Sequence, residues 1–233
     1  MSSYKGHTIF ALILAVLMSF NPPAIALTVI GANIPDFDHN IKKNQVYYII
    51  ILGILISLSL YILNLPYCLG LIIIFLGVTF YFSEHRSFTH SIPGIIVLTS
   101  SLALILIWAF ELIKNITIIP TDYIMLILIS LISILFLNKK LLPLFIPILF
   151  LSAILLQSFQ ISNIQIVLYL FLGLISHSIL DAFSPSGVKL FAPVSNKTYH
   201  KNFANASLLI LIILILLTRM SMLFSLLENF IRI

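Results

Sequence analysis

Runs of Ile, Leu and Phe close to 20 residues long, parted by short polar blocks, fill most of the chain. Runs of that length point to membrane-spanning helices rather than to a barrel. The first run extends from Thr8 to Ala32 and is interrupted by Asn21-Pro22-Pro23. Proline removes a backbone donor and disfavours helix in the residue before it, so two adjacent prolines predict a break. Each piece is short for a span, which predicts a tight or re-entrant helical hairpin with both ends on one side. A single kinked span is the alternative. Apolar segments follow at 45–63, 67–82, 92–113, 123–137, 141–156, 164–183 and 205–227, with a polar loop over 184–204. At roughly 20 residues per span, the expected fold is all-α: a polytopic helical membrane protein with about seven full spans after an N-terminal hairpin. Residues 1–233 form one integral membrane domain in this reading.

Composition supports the same class. Hydrophobic residues make up 61% of the chain and charged residues 8%, against about 25% charged in a soluble domain. Twelve Lys and Arg with seven Asp and Glu could not cover the surface of a soluble protein of this size. The single cysteine, Cys68, sits in an apolar run, which excludes an intramolecular disulfide and a cysteine-based zinc site. The N-terminus has a basic residue and an apolar stretch, as a signal peptide does, but no convincing cleavage site, so it is expected to be retained.

The net charge of +5 reports orientation rather than nucleic-acid binding. Lys5, Lys42, Lys43, Arg86, Lys139, Lys140, Lys189, Lys197 and Lys201 fall on one side of the predicted topology, which makes nine. Lys114, Arg219 and Arg232 fall on the other, which makes three. The bias predicts a plasma or inner membrane protein whose first side is cytoplasmic.

Five of the six histidines and three of the seven acids gather in four places: His7; Asn33-Ile-Pro-Asp-Phe-Asp-His39; His85-Arg-Ser-Phe-Thr-His-Ser91; and Ser176-His-Ser-Ile-Leu-Asp181. All four reach the same face of the predicted topology. Taken singly, each loop segment reads first as a polar turn, with Ser87 or Thr89 capping the next helix. His177 and Asp181 are different. They stand at i and i+4 at the end of an apolar span, on one helix face, where ionisable residues are costly and usually face a cavity or a partner. Imidazole and carboxylate suit Zn²⁺, with Mn²⁺ or Fe²⁺ as alternatives. His85 and His90, at i and i+5, fit a bent loop in which one ligates and the other orients or donates a proton. A divalent ion among these groups could ionise water near neutral pH for attack on an ester. Arg86 lies in the same block, and a guanidinium matches phosphate geometry, which favours a phosphoester substrate.

These motifs, with Ser184-Pro-Ser-Gly-Val-Lys-Leu-Phe-Ala-Pro193, resemble a bacterial and archaeal family of membrane-bound metal-dependent hydrolases. Its members are also described as inner-membrane hydrolases under LexA control. The resemblance runs from His7 to about Pro193, and the combination in this order is its specific part. It implies metal ligands at His7, Asp36, Asp38, His90, His177 and Asp181, with Asp38, His85 and Arg86 as the catalytic candidates. The expected function is a cytoplasm-facing hydrolase that cleaves a phosphoester, with a membrane lipid as one form of substrate. No nucleic-acid partner is expected. The rival reading is a transporter or metal-ion carrier, against which stand dry span centres and the lack of an inverted repeat. A scaffold with a structural metal is a third.

Overall fold

The computed structural model describes residues 4–36, 43–83, 87–156 and 159–231, with side chains left undescribed at 43–45 and 221–231. Among the described residues there are nine α-helices. They are α1 (Tyr4–Met18), α2 (Pro22–Gly31), α3 (Lys43–Ile62), α4 (Cys68–Phe82), α5 (Ile92–Ile116), α6 (Thr121–Phe136), α7 (Leu142–Leu156), α8 (Asn163–Ala182) and α9 (Lys201–Ile231). A 3₁₀ turn, Phe88–His90, leads into α5.

The double proline separates α1 from α2. Pro22 occupies the first helical position of α2, where its missing N–H costs nothing. The two helices return on each other: the Asn33 side chain, beyond the end of α2, donates to Thr8 Oγ1 near the start of α1 at 3.2 Å. The N-terminal segment is therefore a hairpin with both ends at one level. Eight of the ten residues of α2 are buried. A helix this short, about 15 Å at 1.5 Å per residue, is enclosed by protein along most of its length.

Helix α8 is the centre of the bundle. It packs on α1, α2, α5 and α9 and starts with a complete capping box between Ser162 and Gln165. Its contact with α2 is backbone to backbone. A Cβ on Gly173 would fall 2.2 Å from the Thr28 carbonyl oxygen, and one on Gly31 2.6 Å from that of Leu170. Only glycine permits this approach at either position. Helices α3 and α4 form a separate closely packed pair leaning on α5, while α6 and α7 close the far side of α2. The outward faces are Leu- and Ile-rich, as at Ile154 and Leu155 in α7 and Leu209 and Leu217 in α9.

Segment boundaries follow the hydropathy closely, with two differences. The polar loop ends at His200, because α9 begins at Lys201 and carries the Lys201–Ala204 part of the predicted loop. The capping residue before α5 is Ser91, whose Oγ accepts from Gly94 N at 3.1 Å, instead of Ser87 or Thr89. Among the described residues, three helices are long and apolar enough to cross a membrane by length and composition: Ile92–Ile116, Asn163–Ala182 and the 201–220 part of α9. The other apolar helices run to 10–17 residues with described side chains. Fifteen residues span about 22 Å, short of a hydrocarbon core of about 30 Å, so the apolar segments outnumber the helices that meet the full length.

The loop from Ser184 to His200 is built around its own small core of Ala182, Val188, Leu190 and Ala204. Val188 and Tyr199 pair across it as an antiparallel bridge. The Ile92 N–H donates to the Leu190 carbonyl at 2.8 Å, which ties the loop to the start of α5.

Candidate metal centre

Four separate parts of the chain end at one level of the bundle: the start of α1, the turn after α2, the 3₁₀ turn before α5 and the end of α8. They bring His7, Asp36, His90, His177 and Asp181 together. His90 and His177 have no exposed surface, and His7 and Asp181 are each 2% exposed. Asp36 is the open member, with its side chain 36% exposed.

Asp181 is the hub. Its Oδ1 lies 3.4 Å from His7 Nε2. Its Oδ2 lies 3.5 Å from both His90 Nε2 and His177 Nε2. The two histidine nitrogens are 3.2 Å apart. Asp36 Oδ1 approaches His177 Nε2 at 3.7 Å. The rings of His7 and His177 stack at 3.8 Å between centroids.

The carboxylate distances bear on two chemical accounts, while the His90–His177 pair at 3.2 Å is within hydrogen-bond reach. Direct N–H···O hydrogen bonds run to about 2.7–3.2 Å, so a carboxylate oxygen 3.5 Å from two imidazole nitrogens is too far for a good bond to either. Ligands about 2.05 Å from a tetrahedral ion stand about 3.3 Å from one another. The His90–His177–Asp181 triangle, with sides of 3.2, 3.5 and 3.5 Å, has that spacing.

Backbone geometry fixes the protonation of one ring. His177 Nδ1 is 2.7 Å from the Ala32 carbonyl oxygen. A carbonyl can only accept, so Nδ1 carries the proton and a neutral ring presents a lone pair at Nε2. A backbone acceptor behind a ligating imidazole is the usual way its tautomer and orientation are set. The glycine contact between α2 and α8 brings Ala32 to that place. His90 is held similarly, with Thr89 Oγ1 3.0 Å from its Nδ1 and the Ser178 hydroxyl donating to its carbonyl oxygen at 3.2 Å.

Two overlapping triads have metal-ligand spacing, His7–Asp36–His177 and His90–His177–Asp181, each with its donor atoms within 4.8 Å of one another. They share His177 Nε2, since Nδ1 is committed to Ala32. One imidazole nitrogen serves one ion, so the triads offer alternative ligand sets around a single position. The residues present fit a divalent cation of the zinc type: imidazoles, carboxylates, burial and hydrogen-bond partners behind two of the rings.

Of the eight site residues expected from the sequence, His7, Asp36, His90, His177 and Asp181 converge. Asp38, His85 and Arg86 lie outside the described residues. The motif reading did not identify Ala32, Thr89 or Ser178 as supports for the imidazoles. Thr89 and Ser178 are within the motifs, but nothing in a sequence flags the carbonyl of Ala32.

The family model described as YdjM inner membrane protein matches residues 1–138 and 141–231. No curated protein and no solved structure matches the chain.

Proposed function

The chain belongs to the YdjM inner membrane protein family, and on that premise we propose that it is a multi-pass metal-dependent hydrolase acting on a phosphoester at the cytoplasmic face. The observation that carries the reading is the triangle of His90, His177 and Asp181 donors, spaced for one ion and sealed from water. His7 and Asp36, from the N-terminal hairpin, form with His177 the alternative ligand set around the same position. The ion is zinc, with manganese or iron the alternatives the donor set also accepts. When bound, such an ion supplies Lewis-acid activation of water and of the ester oxygen near neutral pH.

The chain's own residues do the rest. His177, anchored at Nδ1 by Ala32, holds its lone pair in one direction. Asp181 uses both oxygens and joins His7 to the other two imidazoles. Asp36, half open, stands where substrate and solvent meet the buried set. Asp38 and His85 are assigned to proton handling and Arg86 to the phosphate, on their place in the motifs. The nine-to-three distribution of Lys and Arg supports the cytoplasmic orientation. The seven apolar segments after the hairpin support seven crossings, the shorter ones accommodated by local thinning of the bilayer.

The test is elemental analysis of the purified protein and of Asp181→Ala, followed by assay of the metal-loaded protein in detergent against phospholipids, nucleotides and carboxyl esters. Stoichiometric metal lost in the variant, with turnover of a phosphoester, supports the reading. Metal that crosses the membrane in proteoliposomes while no ester is cleaved replaces it with a carrier.

A further inference from the structure

An apolar groove of about 390 Å³ runs between α1, α2 and α7, within the roughly 300–1,000 Å³ range of small-ligand pockets. Its walls are helix faces. Helix α2 contributes Pro22, Ile25, Ala26 and Val29, and α7 contributes Leu144, Phe145, Ile148 and Ser152, each set at i, i+3 or i+4 spacing. The two hydroxyls on its wall are already committed: Thr8 Oγ1 donates to the Tyr4 carbonyl and Ser152 Oγ to that of Leu149. A polar ligand would find no free hydroxyl donor there.

The groove opens sideways. Leu12, Leu144 and Ile148 on its rim are 42, 66 and 55% exposed, on the outward faces that meet lipid. One end is Pro22, at the closed turn of the hairpin. The other is Thr8, which follows His7 in sequence and accepts from Asn33, whose side chain also donates to Val29 of the groove wall. The apolar slot thus begins in the bilayer and finishes at the level of the metal-spaced cluster.

We propose that this groove holds one acyl chain of a membrane phospholipid and so presents its headgroup ester to the His/Asp cluster. The proposal deepens the hydrolase reading and rests on it for the fate of the headgroup; the chain site stands on the groove alone. An alkyl chain is the occupant because the slot is apolar, laterally open and surrounded by lipid. Burial from water gives no preference between groove and bilayer, so selection comes from packing, through close contacts on three helix faces instead of mobile neighbouring tails.

The test uses full-length protein in nanodiscs containing a phospholipid with a diazirine on one acyl chain, with adducts mapped by mass spectrometry. The expected result is labelling at Ile25, Val29 and Phe145 several-fold above that at Leu209 and Ile213, which face bulk lipid on α9. Leu144→Trp with Ile148→Trp, both changes on exposed positions, should fill the slot and return groove labelling to the α9 level with metal content unchanged. Leu209→Trp should leave it intact. Groove labelling no higher than on α9 in the unmodified protein overturns the proposal, whether or not metal is bound. Enriched labelling that persists in Asp181→Ala upholds the chain site even if no ester is ever cleaved, so the two readings fail separately.

Discussion

The imidazole of His177 is held by the carbonyl of Ala32, 2.7 Å from Nδ1 and 145 positions away in the chain. That single bond joins the N-terminal hairpin to the central helix at the point where the metal-spaced cluster forms. Its existence depends on Gly31 and Gly173, which let α2 and α8 touch through their backbones.

Gly173→Ala is therefore expected to act at a distance. The added methyl meets the Thr28 carbonyl and must push α2 outward, an overpacking cost of about 1–3 kcal/mol. The Ala32 bond lengthens with it, and loss of such an outer support lowers metal affinity about 10–100-fold. Metal titration of the purified variant checks this; affinity equal to that of the unmodified protein would show that the ring does not need its anchor.

His177→Ala and Asp181→Ala should each lose bound metal while still inserting, because the apolar helices satisfy their own backbone bonds in lipid. Elemental analysis after membrane extraction reads both quantities. Unchanged stoichiometry in both variants would dissolve the shared site.

Ser91→Ala removes the N-cap of α5 and should cost about 1 kcal/mol. In a chain of this size that is a fall of about 2–4 °C in the thermal midpoint. The same residue's hydroxyl donates to the Phe88 carbonyl at 2.7 Å, so the 3₁₀ turn carrying His90 should loosen and metal affinity should drop with stability. A midpoint shift without any change in metal binding would separate the turn from the site.

Orientation is accessible by labelling. On a Cys68→Ser background, Asn196→Cys and Ile118→Cys place single thiols on exposed loops at opposite ends of the bundle, Ile118 being fully exposed. An impermeant maleimide added to intact cells should reach Ile118→Cys and leave Asn196→Cys unmodified until the membrane is opened. The reverse pattern would turn the site to the outside.

Arg86→Ala should lower phosphoester turnover far more than metal content, and Arg86→Lys should restore only part, since an ammonium cannot make the bidentate contact. Parallel assays of turnover and bound metal separate the two effects. Full turnover in Arg86→Ala would remove the guanidinium from substrate binding.

Much of this was legible in the chain because lipid simplifies the code. Apolar runs broken by Asn-Leu-Pro or Asn-Lys-Lys mark the ends of α3 and α6 to within a residue or two, since charged residues fall only near the ends of the runs. The hairpin was legible from Pro22 and Pro23, and the His177–Asp181 pair from i, i+4 spacing inside an apolar helix. What resisted is what three dimensions alone decide. Hydropathy counts segments but not whether a 15-residue helix reaches both interfaces. Gly31 and Gly173 look like ordinary glycines until two helices cross at them. Ser87 and Thr89 are the caps expected on paper, and the 3₁₀ turn over Phe88–His90 takes up both positions and leaves the role to Ser91.

Helix α2 is ten residues long and buried on nearly every side, and its walls come largely from helices made much later. During synthesis the hairpin is made before those helices, so His7 and Thr28 precede their final neighbours. Helices α1, α6 and α7 cover part of α2 before α8 arrives, and α8 then brings its largest single contact together with the Asp181 carboxylate beside His7. The triangle of His90, His177 and Asp181 therefore cannot close before the last turn of α8 is in place, because that turn carries Asp181.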